Sequence, residues 1–473
     1  MKSETAPVGD NRPSRAGERK RSRLGLWSLS WPIGMELLLQ FLMGTVDTLM
    51  VSRIGDNAAS AVGVSNQVIQ TAMTLFAVIN AGAGAIIARM WGAGEQAKAR
   101  QTAAIAIKAN LIFGVAGGLV LAFGSGAVVG LMGVPAQVRG YGVEYLSIVG
   151  GGIGVMTLHL AVNALIRNIG NTKGPMLATL GMNLLHLVLN YLLIFGIGWF
   201  PELGVQGTAI STVISRSFGL ALSFWLLWRM FVPRMTLGDW MRTDRGLLKD
   251  IVGIGIPVSV TAMSWGFSQI VLISIISSFG PKPLAAYTYV QTIQQFPWMI
   301  ASAIGSALGI QIGQWFGAGF LGQVYRGPIR AIVAGVSLAL TASAAIWAAG
   351  EPLLSLFTED REVVSAALPL LAICILWQPM RIVPFCLSNS LNITGGARAV
   401  AVLSVIGMWL VATGGAYAFG ALAGWGVIGV YVAAILDEAM RGSYFAWRWI
   451  AFKPDGKARV SSSGNADHAS QSG

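Results

Sequence analysis

Apolar residues come in twelve blocks, each long enough to cross a lipid bilayer as a helix, and that one pattern removes most other folds from consideration. A helical crossing takes about 20 residues. The blocks run near 27–51, 59–88, 102–124, 141–166, 175–198, 205–228, 250–278, 283–315, 329–349, 363–392, 399–420 and 425–450. Strands of a membrane barrel would be half as long and alternate in polarity. With 54% of its residues hydrophobic and 11% charged, a soluble chain of this length would expose too much apolar surface to water, so lipid supplies much of the solvent. Glycine, 60 residues in all, recurs inside the blocks, as suits closely packed membrane helices.

The net charge of +12 would point to nucleic acid in a soluble protein. Here the basic residues sit between apolar blocks instead of forming a patch interleaved with aromatics, so no nucleic-acid partner is expected. Of the 32 Lys and Arg, 25 fall in the N-terminal segment, the loops after even-numbered spans and the C-terminal end. Four fall in the opposite loops: Arg53, Arg139, Lys282 and Arg361. The positive-inside rule then places both termini in the cytoplasm of a multi-pass plasma-membrane protein. Residues 1–26 read as a basic cytosolic tail, since no apolar core arrives early enough for a signal peptide. Residues 229–249 read as a cytosolic linker and 453–473 as a polar, disordered cytosolic tail. Cys374 and Cys386 are twelve residues apart in one span, roughly 18 Å along a helix, and cannot pair with each other. No zinc spacing, HExxH, GxSxG or nucleotide loop is present, so the expectation is neither an enzyme nor an ATP-driven pump, with no metal and no cofactor.

The halves repeat. At an offset of 225 the sequence aligns with itself without a gap from Pro32 to Lys173, pairing Pro32 with Pro257, Gly55 with Gly280, Gln70 with Gln295 and Gly170 with Gly395. The run Gly92, Ala93, Gly94 falls on Gly317, Ala318, Gly319, and from Gly204 onward the offset becomes 222. Each repeat has an even number of spans, so the two enter the membrane in the same sense and are related by an axis along the membrane normal. The expected fold is all-α: twelve transmembrane helices in two pseudo-symmetric six-helix lobes, 27–228 and 250–452, around a central cavity.

The motif VDTLMVSRIG at 46–55, followed by AASAVGVSNQ, resembles the opening helices of the multidrug and toxic compound extrusion (MATE) family. Similar matches are LIRNIGNTKGPM at 165–176, LNYLLIFG at 189–196 and GVQGTAIST at 204–212, in the family's order and spacing. The resemblance implies a two-lobed antiporter that exchanges H⁺ or Na⁺ for drug-like amphipathic compounds, often cationic. It is nearer the branch with an aspartate in the first helix. Where another branch has a glutamate in the seventh helix and an aspartate in the tenth, this chain has Trp265 and Arg381.

Ionisable groups inside a bilayer are functional candidates by default. Glu36, Asp47, Asp437 and Glu438 are acids within predicted spans. Asp47 lies about 9 Å below the outer end of its span. A carboxylate there is neutral when desolvated and charged when water or a cation reaches it, as ion coupling requires, and it matches the family's acid in the first helix. The competing reading is a carboxylate hydrogen-bonded into helix packing. Asn183, His186 and Asn190 share one face of the fifth span and are expected to complete a shell around Asp47, with a possible Na⁺ there. Asn190 stands where some members have an aspartate and His186 where they have an asparagine, which favours the proton. Asn163 and Thr208 are further candidates that interhelical hydrogen bonding explains equally well. Glu36 shares a helix face with Asp47 and reads either as a relay to the cytoplasm or as a structural acid near water. Asp437, Glu438 and Arg441 read as an internal ion pair, which Arg216, at the repeat position of Glu438, is expected to join.

The substrate cavity is expected between the lobes, and polar Asn66, Gln70, Gln291 and Gln295, expensive to face toward lipid, are expected to face it or another helix. Met263, Trp265, Tyr287 and Trp298 would hold flat hydrophobic compounds, or equally be ordinary helix packing. Arg381 must be paired or watered: it binds an anionic substrate group, a carbonyl or a lipid headgroup. A flippase of lipid-linked or anionic substrates would share the repeat, a channel the hydropathy, and a monomer is expected.

Overall fold

A computed structural model describes residues 25–231, 234–241 and 244–451. The tails expected at 1–26 and 453–473 lie outside the described residues, apart from Gly25 and Leu26. The N-terminal half contains α1 (Leu26–Ser52), α2 (Asp56–Ala93), α3 (Gln96–Leu131), α4 in two pieces (Ala136–Gly151 and Ile153–Asn168), α5 (Lys173–Phe195) and α6 (Gly204–Met230). The C-terminal half contains α7 (Arg245–Ser277), α8 (Pro281–Gly317), α9 (Leu321–Ala348), α10 (Arg361–Thr394), α11 (Ala397–Leu422) and α12 (Gly426–Ala451). Among the described residues nine helices are individually long and apolar enough to span a membrane, and α2 and α4 qualify as pairs of segments each bent by 47°. The remaining one, α12, carries Asp437, Glu438 and Arg441 at its middle.

Two expectations need correction. The single span read over 141–166 is broken at Gly152. Gly150 there packs on the Leu121 side chain, Gly154 on the Gly114 backbone and Gly152 on Val213, so α4 lies tight against α3 and α6 and bends where its glycines run together. The linker read over 229–249 is partly helical: α6 ends at Met230, a short helix spans Leu237–Met241, and α7 begins at Arg245. Lys108, which the sequence places inside a span, reaches this linker and donates to the Trp240 carbonyl at 2.8 Å. Beside it Asp239 accepts from Arg100 Nε at 3.3 Å and from the Thr236 amide and hydroxyl at 2.9 and 3.0 Å.

The repeat is visible in the backbone. Gly94 and Gly319, at φ +81° and +78°, end α2 and α8, and Gly170 and Gly395, at +101° and +105°, follow α4 and α10. Each pair holds the left-handed conformation that only glycine adopts cheaply, so the same turns recur 225 residues apart.

Helices α1–α6 form one lobe and α7–α12 the other. They meet where α2 packs on α7 and α8, and where α1 packs on α8. The close backbone approaches between lobes lie toward the end that carries both chain termini. Gly92 rests on the Gln314 carbonyl and Gly317 on that of Arg89; at an offset of 225 these two contacts exchange into each other. Gly313 packs on Ala88, its own repeat partner, so the pseudo-twofold axis passes between them. Gln314 Nε2 also donates to the Asn168 carbonyl at 2.9 Å, and Arg89 lies over the Phe316 ring at 5.4 Å. A cavity of about 260 Å³ lies on the axis beside this seal, lined by repeat partners such as Asn80 with Gly305, Gly84 with Gly309 and Arg167 with Asn392.

Candidate functional site

Asp47 is 6% exposed and faces the interior of the N-terminal lobe, between α5 and α6. Asn190 Nδ2 donates to Asp47 Oδ1 at 2.6 Å, while the Asn190 carbonyl oxygen accepts from the Ser211 hydroxyl, which fixes the amide's orientation. His186 Nε2 lies 3.4 Å from the same carboxylate oxygen and 3.2 Å from Thr212 Oγ1. The Thr212 hydroxyl gives its own proton to the Thr208 carbonyl at 2.8 Å, so it accepts from His186, and the imidazole proton belongs on Nε2. Asp47 Oδ2 makes no hydrogen bond among the described residues and is therefore the oxygen left for a proton or a cation.

Other sequence candidates fall elsewhere. Asn183 does not reach Asp47; its amide donates to the Leu39 carbonyl of α1 at 2.7 Å, two turns nearer the termini. Asn163 pairs with His159 at 3.3 Å and accepts from Ser223 at 2.7 Å. Thr208 contributes its backbone carbonyl, and its hydroxyl is buried without a partner. Glu36 forms a 2.7 Å ion pair with Arg167 of α4 at a depth well below Asp47. Arg216 does not join the α12 cluster. It lies in the other lobe, close enough to Asp47 and Tyr145 for direct electrostatic interaction.

Ser211, Thr212 and Arg216 were missed as site residues, although the row Thr208, Thr212, Arg216 at intervals of four was the available signal, because it puts all three on one face of α6.

The expected cavity wall divides. Asn66 points into the N-terminal lobe, where it accepts from Tyr145 at 3.3 Å, and Gln70 and Gln295 are exposed. Met263 is half-buried on α7. Trp265, Tyr287, Gln291 and Arg381 gather inside the C-terminal lobe, around a second cavity of about 100 Å³. Trp298 stacks on Arg381 with its ring centre 3.9 Å from the guanidinium carbon.

The family model described as MatE matches this chain twice, over residues 32–192 and 257–418. The chain belongs to the MATE family. The two matches begin 225 residues apart, the offset of the repeat. An uncharacterized transporter of Bacillus subtilis, YisQ, is 31% identical over 90% of this chain and 93% of its own length. The probable multidrug resistance protein NorM of Thermotoga maritima is 24% identical over 89% of this MATE chain and 90% of that protein. Among solved structures, the outward-facing conformation of a multidrug resistance MATE transporter superposes with a TM-score of 0.82 at 22% identity, covering 91% of this chain and 96% of that one. A Pyrococcus furiosus transporter whose binding pocket is described as having reverse polarity gives 0.79 at 21% identity, covering 90% and 95%. The protein is thus a multi-pass membrane transporter of the MATE multidrug efflux family, and not an enzyme.

Proposed function

We propose that this MATE protein is a secondary active antiporter that exports small amphipathic, largely cationic compounds in exchange for H⁺ or Na⁺, with Asp47 as the coupling residue. The observation that carries the reading is the Asp47 carboxylate, held on one oxygen by Asn190 and His186 and open on the other, inside a lobe. A buried acid of this kind changes charge when water or a cation reaches it, and each change alters the cost of enclosing it. That cost is what couples an ion to the rocking of two lobes. The neutral partners Asn190 and His186 add no second negative charge, which favours the proton over sodium and puts the chain nearer the first-helix-aspartate branch. His186 and Asn190 act with Asp47, and Asn183, Asn163, Thr208 and Glu36 support the helices around it.

The excess of Lys and Arg on the terminus-bearing side favours cytoplasmic termini and a cytoplasmic linker at 229–249 in the plasma membrane. On that orientation the sealed end is cytoplasmic and the lobes face outward. A monomer suffices, since both lobes and the axial cavity come from one chain. A flippase of anionic or lipid-linked substrates is the second reading, favoured by Arg381 alone. The deciding experiment is uptake of a fluorescent cationic dye into inverted vesicles under an imposed pH or sodium gradient. Wild type accumulates dye and folded Asp47→Asn does not; equal accumulation by the two removes Asp47 as the coupling site.

A further inference from the structure

The cavity of the C-terminal lobe occupies the repeat position of the Asp47 site. At the offset of 225, Leu272 replaces Asp47 and Gln291 replaces Asn66; at the offset of 222, Val430, Ala434 and Glu438 replace Thr208, Thr212 and Arg216. All five replacements line the cavity. The acid that faces the N-terminal site is gone, and its basic neighbour has become an acid. The cation of the C-terminal site, Arg381, comes instead from α10.

Arg381 is held firmly but ligated weakly. The rings of Trp298 and Trp377 both pack on its guanidinium, at 3.9 and 4.6 Å. Its polar contacts are long: 3.4 Å to Gln378 Oε1 and 3.8 Å to Glu438 Oε1. Glu438 instead leans on Arg441, at 2.9 Å, and Arg441 also grips Asp437 at 2.6 Å. Both acids make their short contacts with Arg441, and Glu438 turns its other oxygen to Arg381 only at 3.8 Å, so Arg381 faces the cavity with long ion pairing alone. A second donor is unspent: Trp377 is 8% exposed, lines the cavity, and its indole N–H is buried with no acceptor. Buried donors left without acceptors are costly, and a fork of N–H groups matches a carboxylate. α11 borders the cavity with Met408 and Thr413 in a stretch wound as π-helix, where the Thr413 hydroxyl reaches back five residues to the Met408 carbonyl. Such windings are concentrated at functional sites.

We infer that this cavity binds the carboxylate of an aromatic anionic or zwitterionic compound, with Arg381 and the Trp377 N–H as its donors and half-exposed Trp265 against the ring. At about 100 Å³ it encloses the headgroup and not a whole drug-sized molecule, so the remainder of a larger ligand lies outside, beyond Trp265. The inference rests on the export reading and adds carboxylate-bearing compounds to its largely cationic substrates, and its test uses no gradient.

The test is equilibrium binding of radiolabelled benzoate to the purified full chain in nanodiscs, compared with benzamide and benzyltrimethylammonium. Benzoate binds and the neutral and cationic analogues bind at least about tenfold more weakly. Arg381→Gln loses about tenfold or more, and Arg381→Lys, which keeps the charge but not the fork, loses less. Should Arg381→Gln misfold, Trp377→Phe keeps the ring, removes the orphaned donor and weakens benzoate severalfold. Because no gradient is applied, loss of benzoate binding leaves the Asp47 coupling reading untouched. Absence of benzoate binding, equal binding of benzamide, or unchanged binding by Arg381→Gln and Trp377→Phe overturns the inference.

Discussion

The amide of Asn190 lies 2.6 Å from Oδ1 of Asp47, and Ser211 holds that amide from behind. One carboxylate oxygen is thus positioned by the fold while the other is left to exchange. Asn190→Ala removes the positioning donor and keeps the acid. Gradient-driven dye uptake by the folded variant should fall about tenfold, in line with one lost hydrogen bond to a charged group. Wild-type uptake by this variant would mean that the amide has no part in coupling.

The Glu36–Arg167 pair tests the difference between a relay and a brace. Arg167→Ala leaves a carboxylate that is 2% exposed without its partner, which costs roughly 3 kcal/mol. Arg167→Gln combined with Glu36→Gln should recover most of that loss in a denaturation series, and dye uptake with it. If the double variant is stable but inactive, Glu36 moves protons and is not merely a brace.

At the sealed end, Gly92→Leu drives a side chain into the Gln314 backbone, which cannot give way cheaply. The lobes should shift toward opening there. In inverted vesicles, a cysteine placed at Ser306, in the axial cavity, should then react with a membrane-impermeant maleimide added on the cytoplasmic side at least several times faster than in the parent, against little background because Cys374 and Cys386 are buried. Unchanged reactivity would show that these contacts do not control access.

In the linker, burial works to raise the Asp239 carboxyl, but the Thr236 amide and hydroxyl and the Arg100 guanidinium outweigh it and hold the group below the ordinary carboxylate range. A depressed value stabilises the fold above the unfolded group's value of about 4, and that contribution is lost as pH falls through the folded value. The stability gap between wild type and Asp239→Asn, roughly 1 kcal/mol, should stay flat from about pH 5 to 8 and close in stronger acid. A gap that widens toward acid would contradict the assignment.

Hydropathy and the repeat made the twelve spans, the two lobes and the burial of Asp47 legible before any coordinates. What they missed has physical causes. Gly152 ends a run of glycines that looks like any apolar stretch, because the bend comes from how closely α3 and α6 approach and not from composition. Lys108 looked embedded because hydropathy does not record how far a long side chain reaches. Arg216 was matched to Glu438 by the repeat, yet a repeat identifies equivalent places in two lobes and not a shared place. The two residues occupy mirrored roles in separate pockets. Likewise Gln291 and Gln295 are one turn apart, but only Gln291 turns inward.

Gly92 on Gln314 and Gly317 on Arg89 are one contact seen twice under a half-turn. Rotating the lobes about the axis-bearing interface lengthens both together, and a partial slip that spares one strains the other. Release is therefore expected as a single concerted step with a barrier set by two matched clasps, so the molecule dwells in well-separated states and spends little time half open.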